Sequence, residues 1–428
     1  MLTRRLALLT TGALTTGALT TRALTMGALS GGQAWAQSPA VPKRAAPPHP
    51  AGGKPRAGHA EAEPAGSPAN TPLGPVDTTA RWAVIIDFAT SATLLDKEAD
   101  VEMPPSSMTK LMTAYIVYSR LADGRLKLTD MLPVSEKAWR MGGSKMFVQI
   151  GSTVSVEDLI RGMIVQSGND ACIVLAESIS GSEEQFAELM NQTGQKIGLT
   201  HSHFTNATGW PDPDLHMSCR DIAMLAWHII HDFPQYYHYD AEKTFKYNNI
   251  EQGNRNPLVQ HGTGDGLKTG HTEAGGYGLV ASTLRGGRRV ILVLNGMASM
   301  RERAEEGERL MDWAFASFED VTLFAADAVI EQAPVWLGTE PSVPLVAGRD
   351  LVLTLPRNWR QGAQVKLSYQ APIPAPVAKG AEVGKLVVSG KGVPDASWPL
   401  LAGEAVPRMS LPGRALAVLA HMVTGGRG

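Results

Sequence analysis

Strand-forming sequence lies at both ends of a long helical tract. A run over residues 82–88 and a second around Thr93-Leu94-Leu95 flank a polar turn at Thr90-Ser91, which reads as a hairpin opening a domain. The next runs of that kind, 278–284 and 290–294, are joined through Gly286-Gly287-Arg288 and are followed by helical patterning over 303–315. Between the two sets lie helical stretches such as 109–121, 156–164, 171–179, 183–197 and 219–230. The distant strands can share one sheet only if the helices form a layer and an insertion, so an α/β (α+β) domain with a helical subdomain is expected.

A chain of 428 residues has room for at least one further module. From residue 321 the character changes to short apolar runs at 328–330, 351–355, 365–369 and 386–388, separated by Gly and Pro, which predicts a small β-rich C-terminal domain over 321–410. Upstream, Arg4-Arg5 precede an Ala/Leu/Thr/Gly stretch that closes on Ala34-Trp35-Ala36, the pattern of a secretory signal peptide over 1–36; a retained anchor and a twin-arginine signal are the competing readings. Residues 37–77, which include Pro47-Pro48-His49-Pro50, lack apolar periodicity and are expected to form a disordered Pro/Ala-rich linker, leaving 78–320 for the first domain. The tail, 411–428, contains an apolar stretch over 414–423 that is too short to span a bilayer.

The charge balance, Lys+Arg 39 against Asp+Glu 41, offers no basic field for nucleic acid. Cys172 and Cys219 are the only cysteines, and two free thiols are expected. His228 and His231 lie one turn apart without an intervening Glu, and His201 and His203 have no partner cluster, so neither a metal nor a cofactor is expected.

Three short motifs carry chemistry. Ser107 stands where an apolar helix begins, and Lys110 follows one turn later on the same face, where a neutral amine could take the serine proton. Gln166-Ser167-Gly168-Asn169-Asp170 falls between two apolar helices, from where Ser167 could relay a proton and Asn169 could hold a substrate amide. In Asp265-Gly266-Leu267-Lys268-Thr269-Gly270-His271-Thr272, Lys268 and Thr269 offer a cation and a hydroxyl to a carboxylate, and Gly270 lets a substrate approach the backbone. Each is a weak signal alone; in this order, S-x-x-K, S-x-N and K-T-G form the set shared by penicillin-binding proteins and class A β-lactamases, with Gly168 in place of Asp.

From about residue 78 to 407 the chain resembles the D-alanyl-D-alanine carboxypeptidase family of low-molecular-mass penicillin-binding proteins. The likeness extends to Pro105-x-Ser107-Met108-Thr109-Lys110-Leu111-Met112-Thr113, to Ala171-Cys172 after the second motif and to Phe204-x-Asn206-x-x-Gly209. It implies a penicillin-binding-protein/β-lactamase-like catalytic domain in which Ser107 is acylated, Lys110 accepts its proton, Ser167 and Asn169 complete the second motif, and Lys268 and Thr269 bind the terminal carboxylate. The backbone N–H groups of Ser107 and His271 would form the oxyanion hole. Arg303 in Met300-Arg301-Glu302-Arg303 matches a further carboxylate-binding arginine, with Arg301 as its competitor. Cys172 matches a family thiol beside the site, which implies sensitivity to thiol reagents.

The implied activity is removal of the terminal D-alanine from peptidoglycan stem pentapeptides, with β-lactams as inhibitors. Alternatives on the same scaffold are a D,D-endopeptidase, a class A-like β-lactamase, and a non-catalytic cell-wall or β-lactam-binding protein. No Glu-x-x-Leu-Asn block stands between Ser167 and Lys268 to activate a deacylating water, which argues against the lactamase. The implied location is the periplasm, with peripheral contact at the outer face of the inner membrane; the lack of Trp, Phe and Lys in 414–423 counts against anchoring by the tail.

Overall fold

The computed structural model describes residues 2–6, 67–390 and 393–424. The strands from both ends of the first domain do share one sheet, in the order Gly266–Thr272, Gly276–Arg285, Arg288–Met297, Trp82–Asp87 and Thr93–Lys97, and every neighbouring pair is antiparallel. Leu292 pairs with Ile85 and Val293 with Val84. Side chains alternate between faces along a strand. Ile85, Leu279 and Leu292 meet Leu310 and Met311 of helix Met300–Ser317 on one side, while Val84, Val280 and Val293 join the core of the helical tract on the other. Burial on both faces explains why these strands read as continuous apolar runs rather than as alternating ones.

The helical tract holds Lys110–Ala122, Val156–Val165, Asn169–Ser180, Glu183–Lys196 and Cys219–Asp232. Ser155, Ser182 and Ser218 cap three of these, each accepting a backbone N–H from three residues ahead. Lys110–Ala122 is buried from Lys110 to Tyr118 on every side, as a helix through the centre of a domain must be.

Order begins earlier than the composition suggests. Pro68–Ala69 pairs with Val76–Asp77, Asn70 bridges to Asp96, and Ala69 is buried against the sheet, so residues 67–77 belong to the first domain rather than to the linker. Thr71 closes the intervening turn by accepting the Leu73 N–H and donating to the Gly74 carbonyl, a local device that Pro/Ala content conceals. The rest of the expected linker lies outside the described residues, as does the expected signal peptide apart from Leu2–Leu6, which pairs with Ala363–Tyr369.

The second domain has its own core, built from residues such as Val343, Leu345, Leu367, Leu386 and Leu400. Its larger sheet runs Leu2–Leu6, Ala363–Tyr369, Glu382–Gly390, Val393–Ala402, Ser342–Val346, Glu331–Trp336 and Ile373–Pro374, and Phe318–Phe324 pairs with Leu351–Pro356. Because strand Phe318–Phe324 pairs with Leu351–Pro356, the second domain begins at residue 318 rather than at 321. Arg288 of the five-stranded sheet reaches Asp87 at 2.9 Å and Asp320 across the boundary at 3.2 Å, and the Thr90 and Thr354 hydroxyls bond across it as well. The tail forms a longer helix than its apolar stretch indicated, Leu411–Thr424.

Candidate active site

A single 3-10 turn, Ser106–Thr109, leads into helix Lys110–Ala122 and brings Lys110 Nζ to 2.9 Å from Ser107 Oγ. Lys110 is fully buried, and Nζ also donates to the Thr208 carbonyl. Burial pushes the ammonium down to about 8; Arg255 acts in the same direction, and Asp170 opposes it. An amine is thus held beside a hydroxyl, close to the neutral state that proton acceptance requires.

The Thr208 carbonyl is fixed by Asn206, whose Oδ1 accepts the backbone N–H groups of Thr208, Gly209 and Trp210 at 3.1, 2.8 and 3.0 Å. Gly209 has φ +78°, and a Cβ there would stand 1.8 Å from the Ser106 carbonyl oxygen. The block Phe204-x-Asn206-x-x-Gly209 therefore presses a loop onto the serine turn and supplies the second partner of Lys110.

Ser167 sits between Val156–Val165 and Asn169–Ser180 with φ +61°, buried, and its Oγ has no hydrogen-bond partner among the described residues. Asn169 Nδ2 donates to the Gly142 carbonyl at 2.9 Å. Asp170, also buried, accepts backbone N–H groups from Met146, Phe147, Val148 and Ala171, so its carboxylate is committed to holding the 142–148 segment against the second motif.

The third motif is the edge strand Gly266–Thr272. Lys268 and Thr269 are buried on it, while His271 is exposed with its ring against Tyr277 at 4.0 Å. A Cβ on Gly270 would meet the Pro105 carbonyl and Ser106 Cβ, both at 3.1 Å, so only glycine lets this strand lie against the serine turn without displacement. Burial drives the Lys268 ammonium well below its ordinary value, and Lys110, Arg255 and Arg303 add to the effect.

Residues two apart on a helix face away from each other. Helix Met300–Ser317 accordingly turns Arg303 inward, where Nη2 donates to the Arg255 carbonyl at 3.2 Å and the guanidinium lies 5.8 Å from the Tyr277 ring centre. Arg301 points outward to Glu305. Burial, with help from Arg255, pushes the Arg303 guanidinium down to about 10.

Arg255 was not singled out by the sequence. Its only signal there is the bracket Asn254-Arg255-Asn256 ahead of Pro257: Asn256 caps helix Pro257–His261 and donates to the Gly266 and Val280 carbonyls, which ties the segment to the sheet. Arg255 itself donates to Ser144 Oγ at 2.7 Å. Lys268, Arg255 and Arg303 thus converge beside the Lys110 amine, while Asp170 is already committed to backbone N–H groups and the buried Asp240, on which Lys268 also acts, accepts from the Tyr118 hydroxyl. Three basic groups so arranged suit an anionic ligand group.

Cys172 and Cys219 are buried free thiols. Burial pushes Cys172 up to about 12 and raises Cys219 as well. The reagent sensitivity implied for Cys172 is not supported by this geometry, because the thiolate is the reactive form.

A D-alanyl-D-alanine carboxypeptidase family model matches residues 68–298, and the C-terminal-domain model of penicillin-binding protein 5 matches 318–408. The D-alanyl-D-alanine carboxypeptidase DacC of Escherichia coli K12 is 39% identical over 344 residues, covering 78% of this chain and 86% of that protein. DacA of Haemophilus influenzae is also 39% identical, over 77% of this chain and 87% of its own length. Among solved structures, penicillin binding protein 5 from Haemophilus influenzae aligns with TM-score 0.69 at 38% identity, covering 77% of this chain and 98% of that one. Penicillin-Binding Protein D2 from Listeria monocytogenes, solved in an ampicillin-bound form, aligns with TM-score 0.51 at 27% identity, over 56% of this chain and 98% of that one. The chain therefore belongs to the D-alanyl-D-alanine carboxypeptidase family of serine peptidases.

Proposed function

We infer that the protein removes the terminal D-alanine from peptidoglycan stem pentapeptides through an acyl-enzyme on Ser107. The observation that carries this reading is the buried Lys110 amine 2.9 Å from Ser107 Oγ, beside a cluster of cations suited to a terminal carboxylate. Ser107 attacks the carbonyl of the penultimate D-alanine while Lys110 takes its proton. The backbone N–H groups of Ser107 and His271 stabilise the oxyanion. Ser167 passes the proton to the leaving amine, Asn169 holds the peptide amide, and Lys268, Thr269 and Arg303, joined by Arg255, hold the terminal carboxylate. Water then hydrolyses the ester. A β-lactam enters the same path and leaves slowly.

The test is D-alanine release from diacetyl-Lys-D-Ala-D-Ala, with Ser107→Ala as control. Lys110 carries a proton below its depressed pKa and is a base only above it, so kcat/KM should climb as pH rises through about 8 and fall again at higher pH, where Lys268 and Arg303 lose the protons that hold the terminal carboxylate. Absence of serine-dependent release would sink the reading. Rapid benzylpenicillin turnover would favour the lactamase, and release only from cross-linked dimers would favour the endopeptidase.

The same reading places the protein in the periplasm, peripheral to the outer face of the inner membrane. No described helix is long and apolar enough to cross a bilayer. Helix Leu411–Thr424, however, exposes Leu411, Leu416, Leu419 and Met422 at 60–74% of their surface, which suits shallow insertion. The protein should sediment with anionic vesicles and lose that property when residues 411–428 are deleted; a full-length protein that stays in the supernatant overturns the assignment.

A further inference from the structure

Beyond the end of the edge strand lies a cavity of about 320 Å³ to which no role has yet been given. Arg81, Trp82, His271, Glu273, Tyr277 and Met297 are among its lining residues. Its position follows from the strand. If the terminal carboxylate sits at Lys268 and Thr269 and the scissile carbonyl at the His271 N–H, the rest of the substrate, on the amino side of that carbonyl, is carried past His271. The strand ends one residue later, at Thr272, and the cavity is lined by His271, Thr272 and the turn that follows.

The chemistry of the cavity is set by Arg81. Its guanidinium lies 4.5 Å from the centre of the buried Trp82 ring, and it has no ion-pair partner among the described residues. Stacking on an indole holds the flat cation in place while leaving its N–H edge free to bond. The floor is kept open by glycines. A Cβ on Gly276, at φ +66°, would stand 2.9 Å from Gly296 Cα, and one on Gly296, at φ +83°, would collide with Arg81 Cβ at 2.5 Å and meet the Trp82 ring at 3.2 Å. A partly exposed arginine, stacked, unpaired and set in a recess in line with the scissile bond, matches a carboxylate carried by the substrate.

We propose that this cavity is a subsite for the segment of the donor peptide preceding the scissile bond, and that Arg81 selects a carboxylate on that segment. The proposal rests on the carboxypeptidase reading above. Arg81 is a specificity residue: it touches no reacting atom and should act through KM.

Three substrates decide the matter: diacetyl-Lys-D-Ala-D-Ala, the pentapeptide L-Ala-γ-D-Glu-L-Lys-D-Ala-D-Ala, and the same pentapeptide with the glutamate α-carboxylate amidated. Wild-type protein should show a lower KM for the acidic pentapeptide than for its amide. Arg81→Gln should raise KM for the acidic pentapeptide about tenfold, equivalent to ~1.4 kcal/mol, with kcat unchanged. KM for the other two should not move, and Arg81→Lys should restore part of the difference. An equal effect on all three substrates, or none on any, overturns the subsite while leaving the carboxypeptidase reading standing. Failure of the wild-type protein to cleave even the diacetyl tripeptide overturns both.

Discussion

Lys110→Met should lower kcat/KM for D-alanine release by on the order of 10⁴-fold, the upper range for removal of a positioned base, while the protein stays folded. The methionine fills nearly the same volume in a fully buried position and carries no charge to desolvate. Its structural cost is loss of the bonds to Ser107 Oγ and to the buried Thr208 carbonyl, the latter left without its partner at about 1–3 kcal/mol. Lys110→Arg should be inactive too, for a different reason: a guanidinium stays protonated and cannot accept the serine proton. D-alanine release and labelling by a fluorescent penicillin read the acylation step directly. A methionine variant that still acylates within tenfold of wild type would show that Lys110 is not the base.

Gly209→Ala should be the most destabilising single methyl in the first domain. Left-handed backbone at a non-glycine residue costs about 1–2 kcal/mol, but steric overlap costs more. The new Cβ would lie 1.8 Å from the Ser106 carbonyl oxygen, a backbone atom that cannot swing aside. Either the 204–210 loop lifts off or the serine turn is displaced, and the loss should exceed ~4 kcal/mol, the scale reserved for such lesions. Gly124→Ala is the matched control: its φ is +76° and nothing lies within 4 Å of the added carbon, so only the conformational cost remains. Urea unfolding of the two variants separates these contributions. Equal losses would mean that the overlap at Gly209 is relieved cheaply.

The catalytic domain was legible because two kinds of signal agree in it. Strand runs at its ends and helical periodicity between them prescribe one sheet with helices about it, and Leu292 opposite Ile85 is the outcome. The motif serines and lysines could be placed because each falls in a recognisable local element: Ser107 in the turn before a helix, Lys110 at the start of that helix, Ser167 between helices, Lys268 within a short strand. What escaped depends on contacts between segments distant in sequence. Arg255 gains its place from Asn256, which bonds the Gly266 and Val280 carbonyls, and nothing local to Arg255 announces that. Asn206 stands in a block that matches the family, yet nothing local shows that its carboxamide aims the Thr208 carbonyl at Lys110. The early start of order at Pro68–Ala69 was hidden for the same reason, since one buried alanine and one threonine turn outweigh an unpromising composition.

The shared arginine at the domain boundary bears on how such a protein can be divided or recombined. Arg288 is only 10% exposed and serves Asp87, which is wholly buried, together with Asp320 across the border. Cutting the chain after helix Met300–Ser317 would remove Asp320 and open this spot to water, while the Arg288–Asp87 pair, one positive and one negative charge, would remain whole. Burial and the neighbouring Asp87 carboxylate raise the Asp320 pKa, so Asp320 is less ready than an ordinary carboxyl to carry the second negative charge. A lineage that discards the C-terminal domain, or a chimera that grafts another in its place, thus keeps a charge-balanced boundary and has mainly to cover the surface newly bared around Arg288.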